Sequence, residues 1–286
     1  MQANISDIKK VNVRGSSGIR TVVRFIGCPL RCPWCSSPES QSPPTRLLWD
    51  RKKCFYGHLC ELRCPTKSLK FENDVLQFNR ETCTGCFSCI TQCPTKALAF
   101  AGRMVEPDEV MEEILSERDA YLEPDSSVVL AGGEVLWQPD FAAEILKRCH
   151  DQSIHTVLQT NGFATSIVFS KVTRQADLLL FDIKHYNERD HVKYTGVSQG
   201  KILANLDNAV SSHIPVIARI PVVSGVNNTL KDAGQFVKLL KEHKITSAAL
   251  VSYSQPGNSE GFFPVSPESL AEYASVFTDA GIKIVS

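Results

Sequence analysis

The chain has 286 residues, 43% hydrophobic and 22% charged, enough to bury a full core as one large domain carrying an insertion. Its 31 basic and 31 acidic residues cancel to a formal net charge of zero, so gross electrostatics argue against a nucleic-acid or membrane-surface partner. Residues 1–7 lack the apolar core of a secretion signal, and no apolar run approaches the ~18 residues of a membrane span. A cytoplasmic location is expected.

Eleven cysteines are many for a chain in a reducing compartment, where metal ligation outranks disulfide formation. Ten of them fall between Cys28 and Cys93; Cys149 stands apart in a helical pattern and is expected to be a buried small hydrophobe. The first apolar run, residues 21–27, reads as a strand and leads into Cys28-Pro29-Leu30-Arg31-Cys32-Pro33-Trp34-Cys35. Three thiolates at C-x3-C-x2-C spacing on one tight loop hold three corners of a cubane iron–sulfur cluster, leaving the fourth iron open to a small molecule. The competing reading, a structural zinc loop, asks for four ligands and favours C-x2-C pairs.

Residues 50–101 read as an insert. Cys83-x2-Cys86-x2-Cys89-x3-Cys93-Pro94 is a complete bacterial ferredoxin run, in which the fourth cysteine ligates the other of two clusters. Upstream, Cys54, Cys60 and Cys64-Pro65 form a partner run with Gly57 in the slot of the second ligand. The repeat continues beyond the cysteines, Cys64-Pro65-Thr66-Lys67-Ser68-Leu69 matching Cys93-Pro94-Thr95-Lys96-Ala97-Leu98. Crossed ligation gives Cys83, Cys86, Cys89 and Cys64 one complete cluster and leaves Cys54, Cys60 and Cys93 one ligand short. His58 lies next to the vacancy, and a neutral imidazole can ligate iron. Three outcomes stay open: a cluster completed by His58 or another group, a three-iron cluster, or no cluster.

Outside the insert the chain alternates strand and helix signals. Apolar runs at 127–130, 155–159, 177–182, 215–220, 248–252 and 282–285 are separated by helical patterns at 107–118, 141–149, 166–174, 201–211, 230–242 and 267–280. The expected fold is α/β, a partial (β/α)6 TIM-like barrel interrupted by a ferredoxin-like α+β domain, with segments 1–49, 50–101 and 102–286. In such folds the chemistry gathers at the C-terminal ends of the strands. There the sequence places Gly132-Gly133-Glu134, then Gln159-Thr160-Asn161-Gly162, then Asp182-Ile183-Lys184, and Arg219. Each alone is an ordinary turn or helix cap; together, beside a cluster loop, they predict a site.

With these motifs in order, the chain resembles the glycyl radical enzyme activating enzymes. This is the radical S-adenosylmethionine (SAM) family that includes pyruvate formate-lyase activase, and the likeness is to the subgroup with a two-cluster ferredoxin insert. Further matches are Gly18-Ile19-Arg20-Thr21, Ser37-Pro38-Glu39-Ser40, Asp182-Ile183-Lys184-His185, Lys193-Tyr194-Thr195-Gly196-Val197 and Arg219-Ile220-Pro221. The resemblance implies that Cys28, Cys32 and Cys35 hold a 4Fe–4S cluster whose open iron chelates SAM. It implies that Gly132 and Gly133 present backbone to the SAM amino group and that Glu134 belongs to the same SAM-binding motif. Thr160, Asn161, Asp182 and Lys184 would surround the methionine end, with Asp182 also a candidate cation ligand, and Arg219 would contact SAM or order the site. Trp34 would either pack on adenine or shield the cluster. The implied reaction is reductive SAM cleavage to a 5′-deoxyadenosyl radical that takes hydrogen from a glycine of a transiently bound glycyl radical enzyme. One or two accessory iron–sulfur clusters would relay electrons from a flavodoxin or ferredoxin-type reductant.

Four departures from the family pattern stand out. An Asp-Gly-Pro-Gly turn reads Gly15-Ser16-Ser17-Gly18, and an acidic residue before Thr-Asn-Gly is Gln159. A Pro-Tyr-His segment reads Ser252-Tyr253-Ser254, and Gly57 is the fourth. They keep a second reading in view, a radical SAM enzyme acting directly on a small molecule or another peptide. A third, an electron-transfer scaffold, requires the Cys28 loop to be inert.

Overall fold

The computed structural model describes residues 1–13, 16–41, 47–79, 82–84, 86–253 and 262–285; Gly15 and Ser254 lie outside them. Strands β1 (Ala3–Asn12) and β2 (Ile19–Phe25) open the chain. The cysteine-rich segment contributes β3 (Leu47–Trp49), α1 (Leu59–Leu62), β4 (Leu69–Glu72), β5 (Val75–Phe78), α2 (Ser88–Thr91) and β6 (Leu98–Phe100). Strand β7 (Arg103–Val105) and helix α3 (Pro107–Leu115) return the chain to the main body. Strand and helix then alternate through β8 (Ser127–Gly132), α4 (Pro139–Asp151), β9 (Thr156–Thr160), α5 (Ser166–Thr173) and β10 (Leu178–Asp182). Next come α6 (Glu188–Thr195), α7 (Gly200–Ser211), β11 (Val216–Val222), α8 (Leu230–Glu242), β12 (Ser247–Ser252), α9 (Pro267–Asp279) and β13 (Lys283–Ile284).

The main sheet runs β13-β12-β11-β10-β9-β8-β2-β1-β7. From β2 to β13 every pairing is parallel, and every step but the first links strands consecutive along the chain, each through a helix. Six βα units and a closing strand therefore make the open (β/α)6 barrel, with β1 and β7 added antiparallel at one edge. Parallel strands are covered on both faces, and β8 shows it, since its first five residues, Ser-Val-Val-Leu-Ala, are all buried. Helix α4 places Phe141, Ala142, Ile145, Leu146 and Cys149 on one buried stripe, the spacing a helix needs to pack on a sheet. Fully burying one such large side chain contributes about 1.5–3 kcal/mol. Cys149 is completely buried in this core.

The cysteine-rich segment has its own two small sheets, β3 against β6 and β4 against β5. Its repeat is structural as well as sequential. His58 and Phe87, 29 residues apart, both adopt left-handed backbone (φ 55° and 61°), and so do Lys67 and Lys96 (φ 51° each). Cys64 and Cys93 each accept a hydrogen bond at Sγ from the backbone N–H four residues on, at 3.2 and 3.3 Å.

Strand β1 and helix α6 lack a sequence signal. Only the first three residues of β1 are buried, and the rest is a polar edge without an apolar alternation to read. Helix α6 reads Glu-Arg-Asp-His-Val-Lys-Tyr-Thr and buries only His191 and Thr195, so no apolar stripe announces it.

Candidate functional site

The site forms where β2, β8, β9, β10 and β11 end. After β2 the chain turns at Gly27 into the Cys28 loop, which is pinned from outside by Arg31 N–H donating to Thr195 O (2.8 Å). From within, the Gln41 side chain donates to Cys32 O (2.5 Å). The end of β8 clamps the start of the loop: Gly133 N–H donates to Phe25 O (2.8 Å) and Glu134 N–H to Gly27 O (2.6 Å). This approach requires both glycines. Gly132 sits at φ 113°, and a β-carbon on Gly133 would come 2.3 Å from Gly27 O.

Glu134 is buried and turned back into the protein. Its carboxylate accepts from Leu136 N (3.0 Å), Thr160 Oγ1 (2.6 Å) and Asn161 N (2.7 Å). Burial pushes its carboxyl up to about 7, against the pull of those three donors. Thr160 is likewise buried, held between Glu134 and the N–H of Gly162 (3.0 Å). Glu134 and Thr160 therefore lie beneath the cavity wall instead of facing the cavity. Their bonds set the position of Asn161, whose side-chain amide is 3.7 Å from Cys28 Sγ.

Asp182, at the end of β10, sits between two cations, Lys184 Nζ at 2.9 Å and Arg219 Nη1 at 2.8 Å, while Gln159 Nε2 stands at 3.3 Å. Burial disfavours the carboxylate, but the two positive charges more than reverse it and hold Asp182 at about 2. The site thus carries a fixed anion flanked by two cations.

These pieces line one open cavity of about 170 Å³. Cys28, Cys32, Cys35 and Trp34, Gly132, Gly133 and Asn161, and the charged set Asp182, Lys184 and Arg219 all contribute to its lining. Trp34 is buried and packs against Tyr194 and Phe262 with ring centroids 5.3 and 5.9 Å away, which fixes its ring in the cavity lining. Sequence reasoning gave no site role to Ser36, Gln41, Val251 and Tyr253, which also line the cavity. Tyr253 was quoted only as the retained middle residue of the altered Ser252-Tyr253-Ser254 segment, and Gln41 carried no signal.

The residues present fit a cluster and a zwitterionic ligand. Three thiols share the cavity lining with the charged set, which suits a ligand bearing both an amine and a carboxylate. Burial pushes Cys32 up to about 11 despite nearby Lys184 and raises Cys28 further, so iron must displace protons as it binds there.

In the cysteine-rich segment the thiols separate into two small cavities. One is lined by Cys64, Cys83, Cys86 and Cys89; the other by Cys54, Cys60 and Cys93 with Gly57 and His58. Four thiols thus share the lining of the first, and three thiols and an imidazole that of the second.

Comparison with known proteins agrees with this chemistry. A model described as the radical SAM superfamily matches residues 80–240, and one described as a 4Fe-4S dicluster domain matches 46–97. The (2S)-3-sulfopropanediol sulfolyase activating enzyme of Bilophila wadsworthia is 38% identical over 80% of this chain and 77% of that protein. The choline trimethylamine-lyase activating enzyme of Oleidesulfovibrio alaskensis is 35% identical over 85% and 79%. Among solved structures, a domain of pyruvate-formate lyase-activating enzyme from Bacteroides vulgatus aligns with a TM-score of 0.50 at 28% identity. It covers 56% of this chain and 97% of that domain.

Proposed function

The chain belongs to the glycyl radical enzyme activating enzymes of the radical SAM superfamily, and on that premise we propose how its residues divide the work. When bound, the cluster and SAM together supply a 5′-deoxyadenosyl radical that takes hydrogen from a glycine of the partner enzyme. Everything else falls to the protein. Cys28, Cys32 and Cys35 hold three irons. Gly132 and Gly133 bring backbone against the ligand, and Asp182, Lys184 and Arg219 orient its charged end. Asn161 steadies Cys28, while Glu134 and Thr160 act one step back by fixing the turn that carries Asn161. Trp34 packs beside Tyr194 and limits water at the cluster.

The observation that carries this reading is the single cavity joining three thiols to a buried carboxylate flanked by two cations. Its test is anaerobic reconstitution with iron and sulfide, reduction, addition of SAM, and quantification of 5′-deoxyadenosine. Product is expected from the wild type and lost in Cys32→Ala; equal product from both would remove the Cys28 loop from the chemistry.

The insert over residues 50–101 passes electrons to this site from a flavodoxin or ferredoxin-type reductant. Low-potential ferredoxin-type clusters suit that step. Both relatives above serve enzymes named as lyases, and a glycyl radical lyase is the partner class we assign to this chain. A glycyl-radical electron paramagnetic resonance (EPR) signal on such a lyase, after incubation with the reduced enzyme and SAM, checks the assignment. We place the enzyme in the cytoplasm with no nucleic-acid or membrane partner. No helix among the described residues is long and apolar enough to cross a membrane.

A further inference from the structure

The cavity around Cys54, Cys60 and Cys93 is one thiol short of a cubane, and its lining also holds an imidazole, that of His58. In the 29-residue repeat Gly57 takes the place of Cys86, and a β-carbon there would stand 2.2 Å from the Phe55 ring. The next residue, His58, shares the left-handed backbone of its counterpart Phe87 and lines the same cavity as the three thiols. Its Nδ1 lies 3.0 Å from Glu61 Oε2, and its ring centroid is 4.6 Å from that of Phe71. An Nδ1–H donated to a carboxylate leaves the lone pair on Nε2, and metal-bound histidines are held by this kind of outer partner. The Phe71 ring restrains the imidazole from a second direction.

We propose that His58 Nε2 is the fourth protein ligand of the accessory cluster held by Cys54, Cys60 and Cys93, with Glu61 as the positioning residue. The inference rests on the reading that those three cysteines hold a cluster. A neutral imidazole in place of a thiolate leaves the cluster less negative and easier to reduce than its all-cysteine neighbour, as imidazole ligation does elsewhere. The two accessory clusters are then unequal in potential, and the imidazole-ligated one is the better electron acceptor.

The full-length enzyme, grown with 15N-histidine and reconstituted without SAM, tests this by pulsed EPR of the reduced clusters together with an iron count. About 12 irons per chain and a 15N coupling of a directly bound imidazole are expected. In His58→Ala the coupling disappears, and a three-iron signal replaces one cubane on oxidation. His58→Cys keeps about 12 irons, lacks the coupling, and titrates one cluster to a lower potential. About 12 irons in the wild type without 15N coupling overturns the role of His58 while leaving the cluster in place. About eight irons in both wild type and His58→Ala overturns the cluster itself.

Discussion

At the scale of single residues, the site works through buried charge, and its two carboxylates behave in opposite ways. Glu134 has its carboxyl pushed up to about 7 by burial, so the folded protein holds a proton that the unfolded chain releases near the ordinary glutamate value of 4.5. Stability is therefore highest below about pH 4.5 as far as this group is concerned. It falls as pH rises to about 7, by roughly 3 kcal/mol in all, and is flat above. The difference between wild type and Glu134→Gln in anaerobic denaturant midpoints between pH 5.5 and 8 should show that slope. Glutamine also presents an NH2 to either Asn161 N–H or Leu136 N–H, so one buried donor loses its acceptor at a cost of about 1–3 kcal/mol. Asp182 has the reverse sign: held at about 2, it adds stability above the ordinary aspartate range and loses it only in stronger acid. Asp182→Asn leaves Lys184 and Arg219 against each other without their shared anion. A loss of about 3–5 kcal/mol and of SAM binding is expected, read by thermal melting and by calorimetric titration. The Gly-Gly-Glu and Thr-Asn-Gly turns were visible in the sequence, but not the direction in which Glu134 faces. A carboxylate that binds a ligand and one that ties two turns together have the same letter and the same spacing; only the partners Thr160 and Asn161 distinguish them.

At the scale of elements, the legible parts were those with two-sided burial or a strong stripe. Strands such as β8 and helices such as α4 advertise themselves because the parallel sheet buries a continuous apolar run and the covering helix a 3.6-residue stripe. Strand β1 and helix α6 are held by neighbours instead: β1 by backbone pairing on both edges, α6 by its Asn187 cap and by Thr195, whose carbonyl receives Arg31 N–H. The junction of elements at the cluster loop is the least tolerant place. Gly133→Ala forces its β-carbon against Gly27 O, so either the β8 turn or the start of the Cys28 loop must shift. Overpacking of this kind costs about 1–3 kcal/mol. Because the displaced segment carries Cys28, the variant should lose iron from the SAM-binding cluster before it loses fold. Circular dichroism close to that of wild type, with about four fewer irons per chain, is the expected pair of readings.

At the scale of the whole molecule, the ten cysteines from Cys28 to Cys93 line three cavities, one in the barrel and two in the cysteine-rich segment. The Cys28 cavity sits at the strand ends of the barrel, and the other two lie among the short hairpins of the insert. The insert is tied to the barrel through backbone and side-chain links, including Asn4 Nδ2 donating to Ala101 O at 2.8 Å. Among the described residues it contributes none of the groups that line the Cys28 cavity. Binding SAM and supplying the electron are thus separable tasks, and damage to the insert should appear in one and not the other. Cys83→Ala removes a thiol from the complete four-cysteine cavity. Its affinity for SAM should match that of wild type, because Cys83 does not line the Cys28 cavity. With a flavodoxin as reductant, 5′-deoxyadenosine formation should fall by about tenfold or more, an added barrier of about 1.4 kcal/mol or more in electron delivery. With a small chemical reductant, which reaches the barrel through the open mouth of the cavity, the loss should be several-fold smaller. Equal losses with both reductants would mean that the insert acts on the barrel through structure instead of through electrons. The ratio of the two rates therefore separates a wire from a scaffold in one enzyme preparation.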